Sequence, residues 1–157
     1  LTAFIAEATI NLFQTKIDKF VYLAVLMPIV ASMGGVAATQ TLTIVIRGLS
    51  LEQIKSSNLN WLFKRELIVS ILNGIFLSIL ISIVTYFWFQ ELLISILICA
   101  AIVINLISSV IAGIFVPIIL NKLNQDPAIA GSVVVTTVTD VIGFFSFLGL
   151  ATIFLVN

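Results

Sequence analysis

The sequence predicts an all-α membrane protein, a polytopic bundle of helices, and three observations lead to this fold class. Hydrophobic residues make up 61% of the 157 residues, and charged residues make up 9%, against about 25% in an ordinary soluble chain. The mean hydropathy is +1.29. The few charges stand far apart and leave long apolar stretches between them. Such a chain lacks the polar residues that would cover a soluble globule.

Four apolar stretches are each predicted to form one transmembrane helix. Each exceeds the roughly 20 residues that cross the hydrocarbon core, and together they comprise residues 20–46, 67–90, 92–121 and 128–156. Asp126-Pro127 opens the last of them, and proline is well tolerated in a first helical turn. Residues 1–13 are apolar but too short to cross alone, so we expect them to be the second half of a first helix that is truncated at its start. The prediction is five transmembrane helices in one domain, residues 1–157.

Positive charge predicts the orientation in the membrane. Lys16 and Lys19 are the only basic residues on one side, whereas the other side carries Arg47, Lys55, Lys64, Arg65 and Lys122. The side with more basic residues, five against two, is expected to face the cytoplasm. This places the loop of residues 47–65 and the turn of residues 122–126 in the cytoplasm and the C-terminus outside. Residues 51–60 form either a plain solvated connection or an amphipathic helix lying on the membrane surface. Trp61 and Trp88, near predicted helix ends, suit interfacial anchoring.

Several classes of function are excluded or disfavoured by what the chain lacks. The formal net charge is zero and there is no basic stripe, which argues against a nucleic-acid partner. There is no histidine, and Cys99 is the only cysteine, so a His-ligated metal and an internal disulfide are both excluded. The complete spans, with Glu66 taken as a boundary residue, hold no second deep carboxylate and no serine–base pair. We therefore expect no enzyme activity and no cofactor.

Asp140 is the most informative residue, because it is a carboxylate inside the last predicted span. A charge at the bilayer centre costs roughly 2.5–3.5 kcal/mol on insertion scales, so such residues usually face water or a partner. The first interpretation is an ion or proton pathway, and the structural alternative is a protonated Asp bonded to a neighbouring helix. Residues sharing its helix face by three- and four-residue steps are Ser132, Thr136, Gly143 and Phe147. Two copies pairing this face would bring two carboxylates together, enough to balance a divalent cation.

Residues 28–40 form a second polar feature, which contains Pro28 and the pair Gly34-Gly35. Proline removes a backbone donor and glycine weakens the helix, so carbonyl groups bared here can line an ion path. The alternative is a small-residue face that packs against a neighbouring helix. The residues alone leave both open.

Two asparagines lie inside the middle spans. Intramembrane hydrogen bonds of this kind contribute about 0.6 kcal/mol and commonly join helices, which is the preferred interpretation for Asn73. Asn105 is followed by Gly113 and Pro117 in the same span, so a place near the ion path is the second interpretation for Asn105.

These motifs together resemble the transmembrane domain of the MgtE-type family of magnesium transporters and channels, over nearly all of the chain. Residues 28–49 are similar to the family's second helix, with its Gly-Gly-Asn-x-Gly-x-Gln signature. Glu66 and Leu72-Asn73-Gly74 resemble the third helix. Ile104-Asn105-Leu106 and the segment 112–117 resemble the fourth, and Asp126-Pro127-Ala128 with residues 136–145 resembles the fifth. The four motifs occur in order and at compatible spacing.

The resemblance implies five helices per chain, a homodimer and a central pore in a prokaryotic cell membrane. Asp140 matches the family's ion-coordinating aspartate, Thr136 matches a position beside it, and Gly34-Gly35 match the segment lining the same path. The family's cytoplasmic sensor and CBS domains are not in this chain and would precede Leu1. Two positions depart from the family: Val36 stands where Asn is usual and Ala38 where Gly is usual. Valine cannot orient ion-bound water as an amide does.

The predicted function is passive transport of a divalent cation, magnesium first, through a dimer pore with Asp140 as the carboxylate of the ion site. Magnesium sheds water reluctantly, and other divalent cations also suit oxygen ligands. One alternative is a proton-coupled transporter in which Asp140 titrates. Another is a membrane subunit that transports nothing.

Overall fold

The computed structural model describes residues 2–13, 21–52 and 59–155, and all of the regular structure in them is helical. The five helices are α1 (Thr2–Asn11), α2 (Val21–Ser50), α3 (Leu59–Phe89), α4 (Leu92–Lys122) and α5 (Pro127–Leu155). The prediction of an all-α fold is confirmed.

The four long helices fit the four predicted membrane spans. They have 29 to 31 residues, and all four are long and apolar enough to cross a bilayer. A helix of this length rises about 45 Å, which matches a bilayer including its headgroup regions. By contrast, α1 has 10 residues and rises about 15 Å, so it does not span a membrane by itself. Its interpretation as part of a fifth span stays a prediction.

The helices extend past the predicted apolar stretches where charged residues begin. α2 continues through Arg47 to Ser50, and α3 begins at Leu59, before Lys64 and Arg65. Charged side chains reach water along their aliphatic stems, so a charge marks where the chain enters the interface and not where the helix ends. The connection predicted at residues 51–60 is correspondingly shorter, and its residues 53–58 lie outside the described residues, as do 14–20.

The start of α5 follows the prediction closely. The helix begins at Pro127, and the Asp126 carboxylate accepts a hydrogen bond of 2.8 Å from the Ala128 backbone N–H. The aspartate accepts from a backbone N–H that has no partner within the helix. Proline has no N–H, so the first helical position leaves no donor unsatisfied.

α4 is the central helix and packs against α2, α3 and α5. Its Ile98 and Ile102 are fully buried in a core shared with Val30 of α2 and Phe147 of α5. α2 runs antiparallel to α5, because Gly143 lies beside Val30 whereas Gly131 lies beside Leu42. It runs parallel to α4, because Asn105 contacts Val30 and the later Gly113 contacts Ala38. α1 packs against α5, where the rings of Phe13 and Phe145 meet edge to face at 5.8 Å.

α3 packs mainly against α4 through a stripe of small residues. The Ser70 hydroxyl donates to the Leu106 carbonyl at 3.1 Å, and Gly74 lies against the Leu106 side chain. Farther along, the Ser82 hydroxyl donates to the Ser95 carbonyl at 2.6 Å. Small residues four apart let helix backbones approach in a membrane, and the hydroxyls add hydrogen bonds across the contact. Asn73 does not join the helices as expected, since its side chain lies exposed on the α3 face toward α2. Ser70 and Ser82 make the hydrogen bonds between α3 and α4 instead.

Candidate cation site

α2 and α5 form an open groove of about 470 Å³, which we call the α2–α5 groove. Asp140 and Thr136 line it from α5, and Gly35 lines it from α2. A Cβ atom added at Gly35 would lie 3.9 Å from the Thr136 methyl group, which places the two helices close together here. Three of the five predicted site residues therefore meet in one groove.

Asp140 is half-buried in this groove. Among the residues that the structure describes, its carboxylate has no hydrogen-bond or ion-pair partner. Thr136 lies opposite Gly35 in an antiparallel pair of helices, so Asp140, one turn later on α5, lies level with Ser32. A carboxylate left without a partner at membrane depth needs water, a proton or a cation.

The threonines of the groove leave hydroxyl oxygens free to accept hydrogen bonds. Each donates its hydrogen to its own helix at 2.8 Å: Thr39 to the Gly35 carbonyl, Thr43 to the Thr39 carbonyl, and Thr136 to the Ser132 carbonyl. Their remaining lone pairs are acceptors. The polar wall beside Asp140 thus consists mainly of acceptors, which suits a cation or the waters bound to one.

The face predicted for α5 divides into two parts. Ser132, Thr136 and Asp140 are exposed or half-buried, whereas Gly143 and Phe147 are buried in the helix core. At Gly143 the backbone of α5 lies so close to Asn105 that a Cβ atom would lie 2.7 Å from the amide nitrogen. Gly143 thus gives room to Asn105 of α4 and Val30 of α2 and not to the groove, so only part of the shared face is open.

Gly34 and Asn105 lie in the α2–α4 interface and do not line the groove. The fully buried Asn105 amide donates to the Val30 carbonyl at 2.8 Å, and the Ser109 hydroxyl donates to the Gly34 carbonyl at 2.8 Å. α2 stays helical through Pro28 and both glycines. For Gly34 and Asn105 the structure favours the packing interpretations, and Gly35 is the glycine that reaches the groove.

Sequence reasoning did not single out the polar stripe of α2. Ser32, Thr39, Gln40 and Thr43 line the α2–α5 groove and are exposed in the single chain. Their spacing of three, four and seven residues is the helical period, and that period was the available signal. Val36 belongs to the same stripe and is 56% exposed, whereas Ala38 is fully buried near Gly113 of α4. Of the two departures from the family, only Val36 faces the groove.

The environment of Glu66 was also not predicted from the sequence. It lies inside α3, only 9% exposed, and lines a separate groove between α2 and α3. Treating it as a boundary charge hid its place in the stripe Glu66, Ser70, Gly74 and Ser78, whose four-residue steps put it on the buried face.

The fold and this groove define a class: an integral membrane protein with a polar, carboxylate-bearing groove at membrane depth, as membrane transport proteins have. Four of the described helices are long and apolar enough to cross a membrane.

The chain belongs to the MgtE family, described as divalent cation transporters, whose family model matches residues 27–150. The predicted family is thereby confirmed, and a transport family agrees with the prediction that the chain is not an enzyme.

Three bacterial relatives, each named magnesium transporter MgtE, are similar to the chain. The protein from Bacillus subtilis is 36% identical over 151 residues, which is 96% of this chain and 34% of the relative. That from Enterococcus faecalis is 26% identical over 146 residues, 93% of this chain and 32% of the relative. That from Thermus thermophilus is 26% identical over 155 residues, 99% of this chain and 34% of the relative. The chain spans about a third of the length of these relatives.

Proposed function

We propose that this chain forms the conducting unit of a divalent-cation transporter, with magnesium as the first candidate ion and Asp140 as the carboxylate of the ion site. The observation that carries the proposal is Asp140 itself, half-buried without a partner among the described residues and facing a groove. Membership of the MgtE family and three relatives named magnesium transporters support the choice of ion.

A second copy of the chain is part of this proposal. The stripe of Ser32, Thr39, Gln40 and Thr43 is exposed along a spanning helix, and such side chains are poorly placed against lipid. A two-fold partner laid on the same surface would cover the stripe from both sides, because a symmetric dimer pairs like surfaces. It would also bring a second Asp140 to the axis, so that two carboxylates balance one divalent cation.

The chemistry of the groove suits an ion that keeps its water. Magnesium prefers near-ideal octahedral oxygen coordination and usually retains several waters. In the described part of the chain no group of three His, Cys, Asp or Glu residues could wrap a bare ion. One carboxylate, with threonine hydroxyls accepting from bound water, holds the hydrated ion without stripping it. Movement through such a site is passive and needs no cofactor.

The remaining features follow from the resemblance and the charge pattern. We include in the proposal a bacterial cell membrane, the loop of residues 47–65 and the turn of residues 122–126 in the cytoplasm, and the C-terminus outside. The proposal further includes cytoplasmic regulatory domains that precede Leu1, as the resemblance implies; the relatives are about three times as long as this chain.

The test is a flux assay on the chain in liposomes, with magnesium, calcium, manganese, sodium and potassium measured in parallel. Asp140→Asn removes the charge and keeps the shape. Hydrogen bonds to charged groups contribute about 1.5–3 kcal/mol, so we expect divalent flux to fall roughly 10- to 100-fold. Glu91→Gln is the control, since Glu91 is an exposed carboxylate at the start of α4, remote from the groove. Full flux in Asp140→Asn refutes the site.

A second matched pair isolates the threonine. Thr136 and Thr137 both donate to their own helix, at 2.8 Å and 2.7 Å, but only Thr136 lines the groove. Thr136→Val should lower divalent flux several-fold and Thr137→Val should leave it unchanged. Equal effects contradict the assigned geometry.

The same assay separates the two alternative functions. Flux that stops when an uncoupler removes the proton gradient at clamped potential indicates proton coupling. A wild-type chain without any flux indicates a membrane subunit that transports nothing.

A further inference from the structure

A second groove, of about 640 Å³, lies between α2 and α3, with Leu106 of α4 at its base; we call it the α2–α3 groove. Ser32, Val36 and Gln40 of α2 line both grooves, and the α2–α3 groove is the more enclosed of the two. Polar groups enter it from α3 as well, from Asn73 and Glu66.

The Glu66 carboxylate is the unusual feature of this groove. Its side chain is only 9% exposed, and no ion pair or hydrogen bond holds it among residues 2–13, 21–52 and 59–155. Its basic neighbours point elsewhere: Lys64 is exposed, and the guanidinium of Arg65 lies 5.6 Å from the centre of the Trp61 ring. An unpaired carboxylate at membrane depth usually faces water or a partner, and a cation in the groove would be such a partner.

The surroundings of Glu66 provide oxygen ligands for a cation. The side chains of Gln40 and Asn73 carry amide oxygens, and Thr41 carries a hydroxyl. The Ser70 hydroxyl donates its hydrogen to the Leu106 carbonyl, so the Ser70 oxygen remains available as an acceptor. A water occupies about 30 Å³, so six waters fill about 180 Å³ and the groove has room for an ion with its full shell.

The two carboxylates lie at different depths along α2. Asp140 is level with Ser32, whereas Glu66 enters the groove at the end lined by Ile44. The Ser70 hydroxyl bonds to the Leu106 carbonyl, the preceding Asn105 lies against Gly34, and Glu66 is one helical turn beyond Ser70, so the two levels are about 10 Å apart. Glu66 is therefore nearer to the end of α2 that carries Arg47, the end predicted to be cytoplasmic.

We propose that the α2–α3 groove is a second binding site for a hydrated divalent cation, with Glu66 as its charged ligand and the amides of Gln40 and Asn73 as neutral oxygen ligands. The choice of a divalent cation rests on the proposed function, whereas the site itself rests on the unpaired Glu66 carboxylate and the groove that it lines. A cation that leaves Asp140 can be held here before it reaches the interface.

The test counts Mn²⁺ bound to the chain in nanodiscs by electron paramagnetic resonance. Asp140→Asn should keep one Mn²⁺ per chain, and adding Glu66→Gln to it should weaken that remaining site at least tenfold. Glu91→Gln, which neutralises an exposed carboxylate, should change nothing. If Glu66→Gln leaves the Mn²⁺ titration of Asp140→Asn unchanged, Glu66 does not bind the ion and the proposal is overturned.

Two further variants keep the test decisive if Glu66→Gln does not fold. Asn73 is exposed on the groove wall, so Asn73→Ala should fold normally and weaken Mn²⁺ binding several-fold. Glu66→Asp keeps the charge but withdraws it by one methylene, and it should also weaken binding. Unchanged Mn²⁺ binding in both variants overturns the proposal. The outcome is independent of the flux test, because Asp140→Asn can fail to alter flux while the Glu66 site still binds Mn²⁺.

Discussion

Replacing Gly34 by alanine should destabilise the bundle, whereas the same change at the next residue should not. A Cβ atom at Gly34 would lie 2.5 Å from Cγ and 2.7 Å from Oδ1 of Asn105, and closer still to Nδ2. Carbon atoms in contact prefer about 3.5–4.0 Å, so the overlap is about 1 Å. At Gly35 the nearest neighbour is the Thr136 methyl group at 3.9 Å, an ordinary contact.

The size of the stability loss in Gly34→Ala depends on how firmly the Asn105 side chain is held in place. It is fully buried between Gly34 and Gly143, and its amide donates to the Val30 carbonyl at 2.8 Å. Overpacking costs about 1–3 kcal/mol, loss of that hydrogen bond costs about 1 kcal/mol, and the better helix propensity of alanine returns about 1 kcal/mol. The net loss for Gly34→Ala is about 1–3 kcal/mol, and Gly35→Ala should gain up to about 1 kcal/mol. The two variants should therefore differ by about 1–4 kcal/mol in the free energy of unfolding.

The assay is unfolding in mixed micelles by added SDS, followed by tryptophan fluorescence and circular dichroism for both variants and wild type. Adding Asn105→Ala to Gly34→Ala removes the overlapping atoms, so the double variant should be more stable than the sum of the single losses predicts. Equal stability of Gly34→Ala and Gly35→Ala, or strict additivity in the double variant, would refute the reasoning.

Three further outcomes are expected. Trp61 and Trp88 lie 27 residues apart on α3, about 40 Å along the helix, so brominated lipids should quench both only when the bromine is near the headgroups; strong quenching by bromine at the chain ends would contradict this placement. The Thr152 hydroxyl is buried without a partner in the described residues, so Thr152→Val should leave the bundle as stable or more stable in the same SDS titration. Ser82→Ala should cost about 0.6 kcal/mol and at most about 1.7 kcal/mol, because it removes the hydrogen bond to the Ser95 carbonyl; a neutral result would mean that this bond contributes nothing.

The spans were predictable because the apolar stretches are long and the charges between them are few. Asp140 was predictable for the same reason: a charge surrounded by apolar residues is visible in the sequence, and its groove partner Thr136 stands one turn away. Glu66 was not, since a carboxylate next to Lys64 and Arg65 resembles the end of a span. Only the helix start at Leu59 shows that Glu66 lies two turns inside α3.

The different roles of Gly34 and Gly35 could not be predicted either. The two residues are adjacent and chemically identical, and about 100° of helix rotation turns one toward α4 and the other toward the groove. Which of them meets Asn105 depends on how α2 is rotated against α4. That rotation is set by the whole interface, including Ser109 and Gly113, and no local pattern encodes it.

The attachment of α3 has a mechanical consequence. α2, α4 and α5 pack against one another, whereas α3 packs mainly against α4 and does so through serines and a glycine. Because α3 has one main neighbour, a change in its tilt on α4 would leave the packing among the other three helices in place. Such a tilt changes the width between α2 and α3 without disturbing the wall that holds Asp140.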